Sequence, residues 1–550
     1  MQRIAIALTL IVAGGLSAPA QNTPSFDDVV DRAIVQENNL LKILRGDHPL
    51  AETYIQDLGP DTDFGTAPKT DHYFLGKLDF SHGVTTDSYI PNAKGRGIDA
   101  FAHLFAPAYL PRGFAQTLII DGAEFNRDHY DFRFDRREFL GDVRTYVISV
   151  SPKKTAGRGR FIGKIWVEDK EFNIVRFNGT YSQAGFGQAY THFDSWRVNC
   201  GPDLWMPFET YAEESDLASD FHTQKLHFKA VTRVWGYTTA ENRSDTEFTN
   251  ITVDLPGVQD KSDQAADNSP VESQRAWERQ SEDNVLDRLE AGNILAPRGP
   301  VEKILDTVVN NLVVTNDLHI TPEVRTRVIL TTPLETFTIG HTIVISRGLL
   351  DTLPDEASLA AIMAHELGHI ALGQVIDTKF AFSDRTIFDD DAILRKFRFT
   401  RTTREEDSAN AKAIEILQKS PYADKLQQPG LFLKALGTEA ERLPNLITPL
   451  IGGRLAQGNS ILRLSALLQD APQLQRTRTD QIAALPLGAR TSLDPWTNRL
   501  RMVTVRAVPL LSGREKMPFE ISPVYLHLRY ESADGEQLAQ DETAHDGARP

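Results

Sequence analysis

Cysteine is almost absent: Cys200 is the single one in 550 residues. One thiol excludes an intrachain disulfide, so the fold has to rest on core packing or on bound metal. Cys200 itself reads as a small buried hydrophobe rather than a nucleophile. Long apolar runs are also scarce. The stretch Ile4 to Leu16 is too short to span a bilayer, and no later stretch reads as a transmembrane helix. With Arg3 before it and Ala18-Pro19-Ala20 after it, residues 1–20 have the pattern of a secretory signal peptide cleaved before Gln21. No cysteine follows the apolar core, which argues against a lipid anchor. Basic residues are outnumbered, 59 Lys and Arg against 75 Asp and Glu, for a net charge of −16. That balance suits solubility and excludes nucleic acid as a partner. No internal repeat is present that would build a solenoid. What the chain does have is 41% hydrophobic residues and length enough for two to four domains.

Its most informative segment is His365-Glu366-Leu367-Gly368-His369. Two histidines four residues apart lie on one face of a helix, one turn apart, and can reach one zinc ion. Glu366 is placed to act on a metal-bound water without being a ligand. Leu359, Ala360, Ile362, Met363, Ala364, Leu367, Ile370, Ala371 and Leu372 surround the motif and predict a buried helix, in which histidine and glutamate need partners. Pro354-Asp355-Glu356 reads as the helix start. Gly368 is poor helix chemistry, and its missing side chain suggests close approach of a strand or of substrate.

Catalytic zinc usually takes three protein ligands and leaves one position for water. Thr403 to Leu417 is strongly helical, and Glu406 shares a face with Ala409, Ala413 and Leu417. A carboxylate on an inward face is costly unless paired or metal-bound, whereas Glu405 reads as solvated.

These blocks resemble the gluzincin metallopeptidases of the HtpX, Oma1 and BepA type, over about residues 300–498. The resemblance implies zinc, one per chain, held by His365, His369 and Glu406, with Glu366 as general base. It implies an edge strand before the zinc helix, read here as Thr342, Ile343, Val344, Ile345 and Ser346, which would hold an extended substrate by β-augmentation. The family's later aspartate is Asn410 here, at a position the resemblance implies would hydrogen-bond and orient a ligand histidine. Changes at such positions cost 10–100-fold in metal affinity or activity. Arg404 and Arg490 are the candidate oxyanion donors. Phe380–Arg404, charged and aromatic, is a candidate lid.

The amino-terminal half changes period. Phe26–Leu44 is an amphipathic helix, with Val29, Val30, Ala33, Ile34, Leu40 and Leu41 on one face. Strands are predicted over 144–150, 160–167, 173–181, 189–197, 207–213 and 222–235, with a hairpin turn at Asp169-Lys170. Short alternating strands with tight turns predict an antiparallel sheet that curls on itself. The stretch from Phe139 to Tyr181 resembles the LolA/LolB-like lipoprotein carriers. That implies an eleven-stranded half-barrel over helices, either with a lipid or lipoprotein in its hollow or as a filled scaffold.

The expected fold class is α+β and multidomain. A signal peptide (1–20) precedes a LolA-like antiparallel half-barrel with an N-terminal helix (21–255) and a polar linker (256–270). A mostly helical zincin domain with a small edge-stranded sheet follows (271–510), then a C-terminal extension with a disordered end (511–550). The expected activity is zinc-dependent endopeptidase action on envelope proteins in quality control, in the periplasm or after secretion. The alternatives are a latent protease acting as a periplasmic chaperone and a lipid or lipoprotein carrier working through the half-barrel.

Overall fold

The computed structural model describes residues 24–81, 85–88, 111–122, 124–182, 191–201, 203–214, 228–238, 270–374, 381, 396–478, 481, 491–503, 519–523 and 525–530. The expected signal peptide, the linker up to residue 269, the polar C-terminal end and most of the candidate lid lie outside them.

Helix α1, Phe26–Leu44, starts where Ser25 and Asp28 form a reciprocal capping box. Val29, Val30, Ala33, Leu40, Leu41 and Leu44 are its buried face. Ten strands follow: β1 (Leu50–Asp61), β2 (Gly65–Asp79), β3 (Thr85–Ser88), β4 (Tyr130–Leu140), β5 (Val143–Pro152), β6 (Phe161–Glu168), β7 (Ile174–Tyr181), β8 (Thr191–Gly201), β9 (Leu204–Glu214) and β10 (Phe228–Trp235). A short helix α2, Pro111–Gln116, precedes β4. The sheet order is β3-β2-β1-β10-β9-β8-β7-β6-β5-β4, all antiparallel. It is an open sheet over a helix, as expected, with ten strands rather than eleven among the described residues.

Strands alternate their side chains between two faces. On one face Ile55, Phe161, Ile165, Phe177 and Phe193 pack with Val29, Val30 and Ala33 of α1. Phe161 and Phe193 each meet Phe177 edge to face, with centroids 5.8 and 5.9 Å apart. Within the same hollow Arg197 makes a buried bidentate pair with Glu37 of α1, at 2.6 and 2.8 Å. Cys200, with Leu204 and Trp496, packs against a neighbouring apolar cluster, but it is only partly buried rather than buried as expected.

The other face of the sheet is also covered. Leu50, Tyr54, Leu75, Phe208, Tyr211, Val231 and Trp235 belong to the same core as the motif helix. Polar ties reinforce this contact. Glu52 accepts from Thr332 N at 2.6 Å and from Thr332 Oγ1 at 2.7 Å. Asp71 accepts from Asn445 N at 2.8 Å and from Leu446 N at 2.7 Å. The C-terminal segment then returns across the sheet: Leu528 packs with Trp166, Trp196 and Trp205, and Asp142 N donates to Leu528 O at 3.0 Å.

In the C-terminal half, helices α3 (Pro270–Ala291) and α4 (Pro300–Thr315) lead to three strands, β11 (Arg325–Ile329), β12 (Thr336–Ile339) and β13 (Thr342–Ser346). Helices α5 (Arg347–Thr352), α6 (Glu356–Ala371), α7 (Thr403–Gln418) and α8 (Gln427–Glu439) follow. The order is β11-β13-β12. This corrects the expected substrate strand. Residues 342–346 are the central strand, paired in parallel with β11 and antiparallel with β12, so both edges are taken. The hairpin at Gly340, with φ +55, turns the chain back so that β12 is one outer strand and β11 the other, with β12 itself bridged to Gly453 at Thr336.

Candidate metal centre

Helix α6 begins where Asp355 accepts a hydrogen bond from Ser358 N at 2.8 Å. His365, Glu366 and His369 are all at most 1% exposed. Helix α7 begins with a capping box between Thr402 and Glu405, so Glu405 is bound to the helix terminus rather than simply solvated. One residue on, Glu406 faces α6 with its side chain 19% exposed. Gly368 explains the closeness of the two helices. A Cβ there would lie 2.9 Å from Ala409 O, so the neighbour that needs the gap is helix α7, not a strand.

Three ligand-type atoms converge. His365 Nε2 is 3.0 Å from Glu406 Oε2 and 3.2 Å from His369 Nε2, and His369 Nε2 is 3.9 Å from Glu406 Oε2. Tetrahedral zinc with bonds of roughly 2.0–2.1 Å sets its ligands about 3.3 Å apart. The donor set and its spacing fit that ion. His369 Nδ1 donates to Gln374 Oε1 at 2.6 Å, which leaves Nε2 as the lone-pair nitrogen. Gln374 Nε2 in turn donates to Ser408 Oγ at 2.7 Å. Burial lowers the pKa of both histidines, to about 4 for His369, and so favours the neutral ligating form. Burial alone would raise the Glu406 carboxyl. The hydrogen bond with His365 and the Arg463 guanidinium outweigh it and hold the group well below the usual carboxylate range.

Arg463 is the residue that sequence reasoning missed. It is 2% exposed. Nε and Nη2 bond the two Glu406 oxygens, each at 3.0 Å. Nη1 bonds Glu366 Oε1 at 2.8 Å and Thr336 O at 3.2 Å. Four of its five N–H groups are thereby committed. Gly453 packs against it; a Cβ there would lie 2.1 Å from Nη2. No spacing rule links position 463 to the motif, so only the folded chain brings the two together. Gln374 and Ser408 were missed for the same reason.

The other expected residues fall elsewhere. Asn410 reaches neither histidine; it bonds Leu462 O and Leu464 N. Arg404 is exposed in the first turn of α7, and Arg490 lies outside the described residues. In the described part of the candidate lid, Phe399 stacks on Phe337 of β12 with centroids 4.8 Å apart. Arg401 donates to Gln374 O and to Thr338 Oγ1, and so ties the end of the motif helix to the edge strand.

A buried carboxylate supports this edge strand from behind. Glu335, just before β12, accepts from Ile451 N at 3.0 Å and Gly452 N at 2.8 Å. Burial nevertheless pushes its pKa up to about 7. Between the unfolded and folded pKa values the native state binds the extra proton, so stability falls as pH rises through that window. A shift of this size corresponds to roughly 3 kcal/mol. Urea unfolding of the zinc-free protein should therefore show wild type losing about that much between about pH 5 and about pH 8 relative to Glu335→Gln. Parallel pH curves for the two would rule the effect out.

Residues 302–388 match the family model of Peptidase family M48. No curated protein matches the chain. Among solved structures, it is similar to a LolA superfamily protein from Nitrosomonas europaea at 12% identity, covering 38% of this chain and 92% of that one, with a TM-score of 0.21. It is also similar to a DUF1329 family protein from Desulfovibrio piger at 13% identity, covering 40% of this chain and 96% of that one, with a TM-score of 0.22. Glu406 lies beyond the residues matched by the peptidase model, on the next described helix of the same core. The stretch that carries His365, Glu366 and His369 is thus a peptidase family M48 domain, the domain of a metallopeptidase.

Proposed function

We propose that the protein is a zinc-dependent endopeptidase, with one zinc per chain held by His365, His369 and Glu406. The observation that carries this reading is the convergence of those three side chains within zinc-ligand spacing, beside a buried glutamate. When bound, zinc polarises a carbonyl and brings its water to near-neutral acidity. Glu366 supplies the proton transfer. Its Oε1 is fixed by Arg463, while its Oε2 is buried with no hydrogen-bond partner among the described residues, so one oxygen is oriented and the other is open to a proton. That proton can then pass to the leaving amine. Past its bridge to Gly453 at Thr336, the outer strand β12 is the backbone against which an extended substrate would lie, in place of the central strand.

Backbone pairing is tolerant of sequence and suits envelope proteins that have lost their fold, in the periplasm or outside the cell. Among the described residues no helix is long and apolar enough to cross a membrane. Elemental analysis with a casein assay tests the proposal. One zinc per chain, cleavage by wild type, and loss of both in Glu406→Ala are the expected results. Zinc without cleavage would shift the reading to a latent protease acting as a chaperone. No zinc in any form would overturn it and return attention to the half-barrel as a lipid or lipoprotein carrier.

A further inference from the structure

Asn410 sits one turn after Glu406 on α7, at the position where the resembling family carries an aspartate. Its contacts define a different task. Nδ2 donates to Leu462 O at 3.1 Å, and Oδ1 accepts from Leu464 N at 2.8 Å. One partner is a carbonyl and the other an N–H, so the amide orientation is fixed by the network. The two bonds bracket Arg463 from both sides. Leu464 holds φ +59, a left-handed conformation that a leucine adopts only where its surroundings impose it. Arg463 then spans Glu406, Glu366 and Thr336 O. Among the described residues, Arg463 is the one side chain that hydrogen-bonds both carboxylates.

We infer that Asn410 is a positioning residue that acts through Arg463: it clamps the 462–464 backbone so that the guanidinium fixes the Glu366 and Glu406 carboxylates, and it can do so only as an amide. This rests on the reading of Glu406 as ligand and Glu366 as base. An ionised aspartate offers acceptors alone. It would keep the bond from Leu464 N but set a negative oxygen against Leu462 O. It would also add a third carboxylate one turn from Glu406, competing for Arg463. The asparagine is therefore a fitted part of this site rather than a weakened copy of an aspartate, and the two views predict opposite results for one substitution.

The test compares wild type with Asn410→Asp, Asn410→Ala, Arg463→Lys and the double variant Asn410→Ala/Arg463→Lys. Zinc affinity is read by competition with a chromophoric chelator, which needs no activity. Both Asn410 variants should hold zinc about 10–100-fold more weakly than wild type, with kcat reduced and KM nearly unchanged. Arg463→Lys should reproduce the loss. The double variant should be little worse than Arg463→Lys alone, because both changes break one arrangement. Asn410→Asp binding zinc as tightly as wild type, or more tightly, would overturn the inference, as would additive losses in the double variant. If wild type bound no zinc, the metal reading would fail by itself. The same cycle read in the melting temperature of the metal-free protein would still decide the clamp: non-additive shifts support it and additive shifts overturn it.

Discussion

Glu366→Gln should abolish casein cleavage while leaving zinc in place. Loss of a positioned general acid–base is worth roughly 10²–10⁴-fold in rate, and the geometry argues for a clean separation of chemistry from metal retention. Glutamine has nearly the shape of glutamate, and the side chain is fully buried, so packing is kept. Its Oε1 can still accept from Arg463 Nη1, the 2.8 Å bond of the native site. What changes is the other terminal atom. The unpartnered Oε2 becomes an amide nitrogen that cannot take up a proton. His365, His369 and Glu406 are untouched, and Arg463 retains both bonds to Glu406. Cleavage retained by the variant would remove Glu366 from proton transfer. Zinc lost with cleavage would instead mean that the Glu366 charge helps to hold the ion.

The parts of this site that were legible in the sequence are those fixed by helix periodicity. His365, Glu366 and His369 are set by one turn of α6, and Asp355 announces where that turn begins. Glu406 was legible because an inward carboxylate among Ala409, Ala413 and Leu417 needs a partner. Helix α1 was found with the same bounds, from its apolar stripe and its start. Arg463, Gln374 and Ser408 carry no periodic signal, because their contacts are set by loops that fold back onto the helices. The strand error has a physical cause too. Residues 342–346 are uniformly buried, and an apolar run does not say which side its neighbours lie on. Strand β1 escaped notice for a related reason. Glu52, Tyr54 and Gln56 alternate with Ala51, Thr53 and Ile55, yet all are buried, so polar residues sit where a half-exposed strand would show an apolar face.

That same burial implies that the two halves unfold together, and Trp235 is the place to test it. It lies at the end of β10, fully buried, in the core that also contains Leu367 and Ala364 of the motif helix. Its indole N–H donates to Asn293 O at 2.7 Å, just after α3. Trp235→Ala removes a large side chain from a core shared by both halves, and such truncations cost about 3–5 kcal/mol. Trp235→Phe keeps much of the volume and isolates the indole hydrogen bond, at about 1 kcal/mol plus the smaller loss of packing. Hydrogen exchange during urea unfolding can follow β6 and β7 separately from α6. In the alanine variant both regions should shift their midpoints to lower urea by the same amount, because neither keeps a complete core without the other. If the sheet were a module tethered only by a linker, β6 and β7 would move alone and α6 would keep its wild-type midpoint. Coincident shifts would make the sheet a structural part of the peptidase, and a ligand on the sheet could then act on the zinc site through packing.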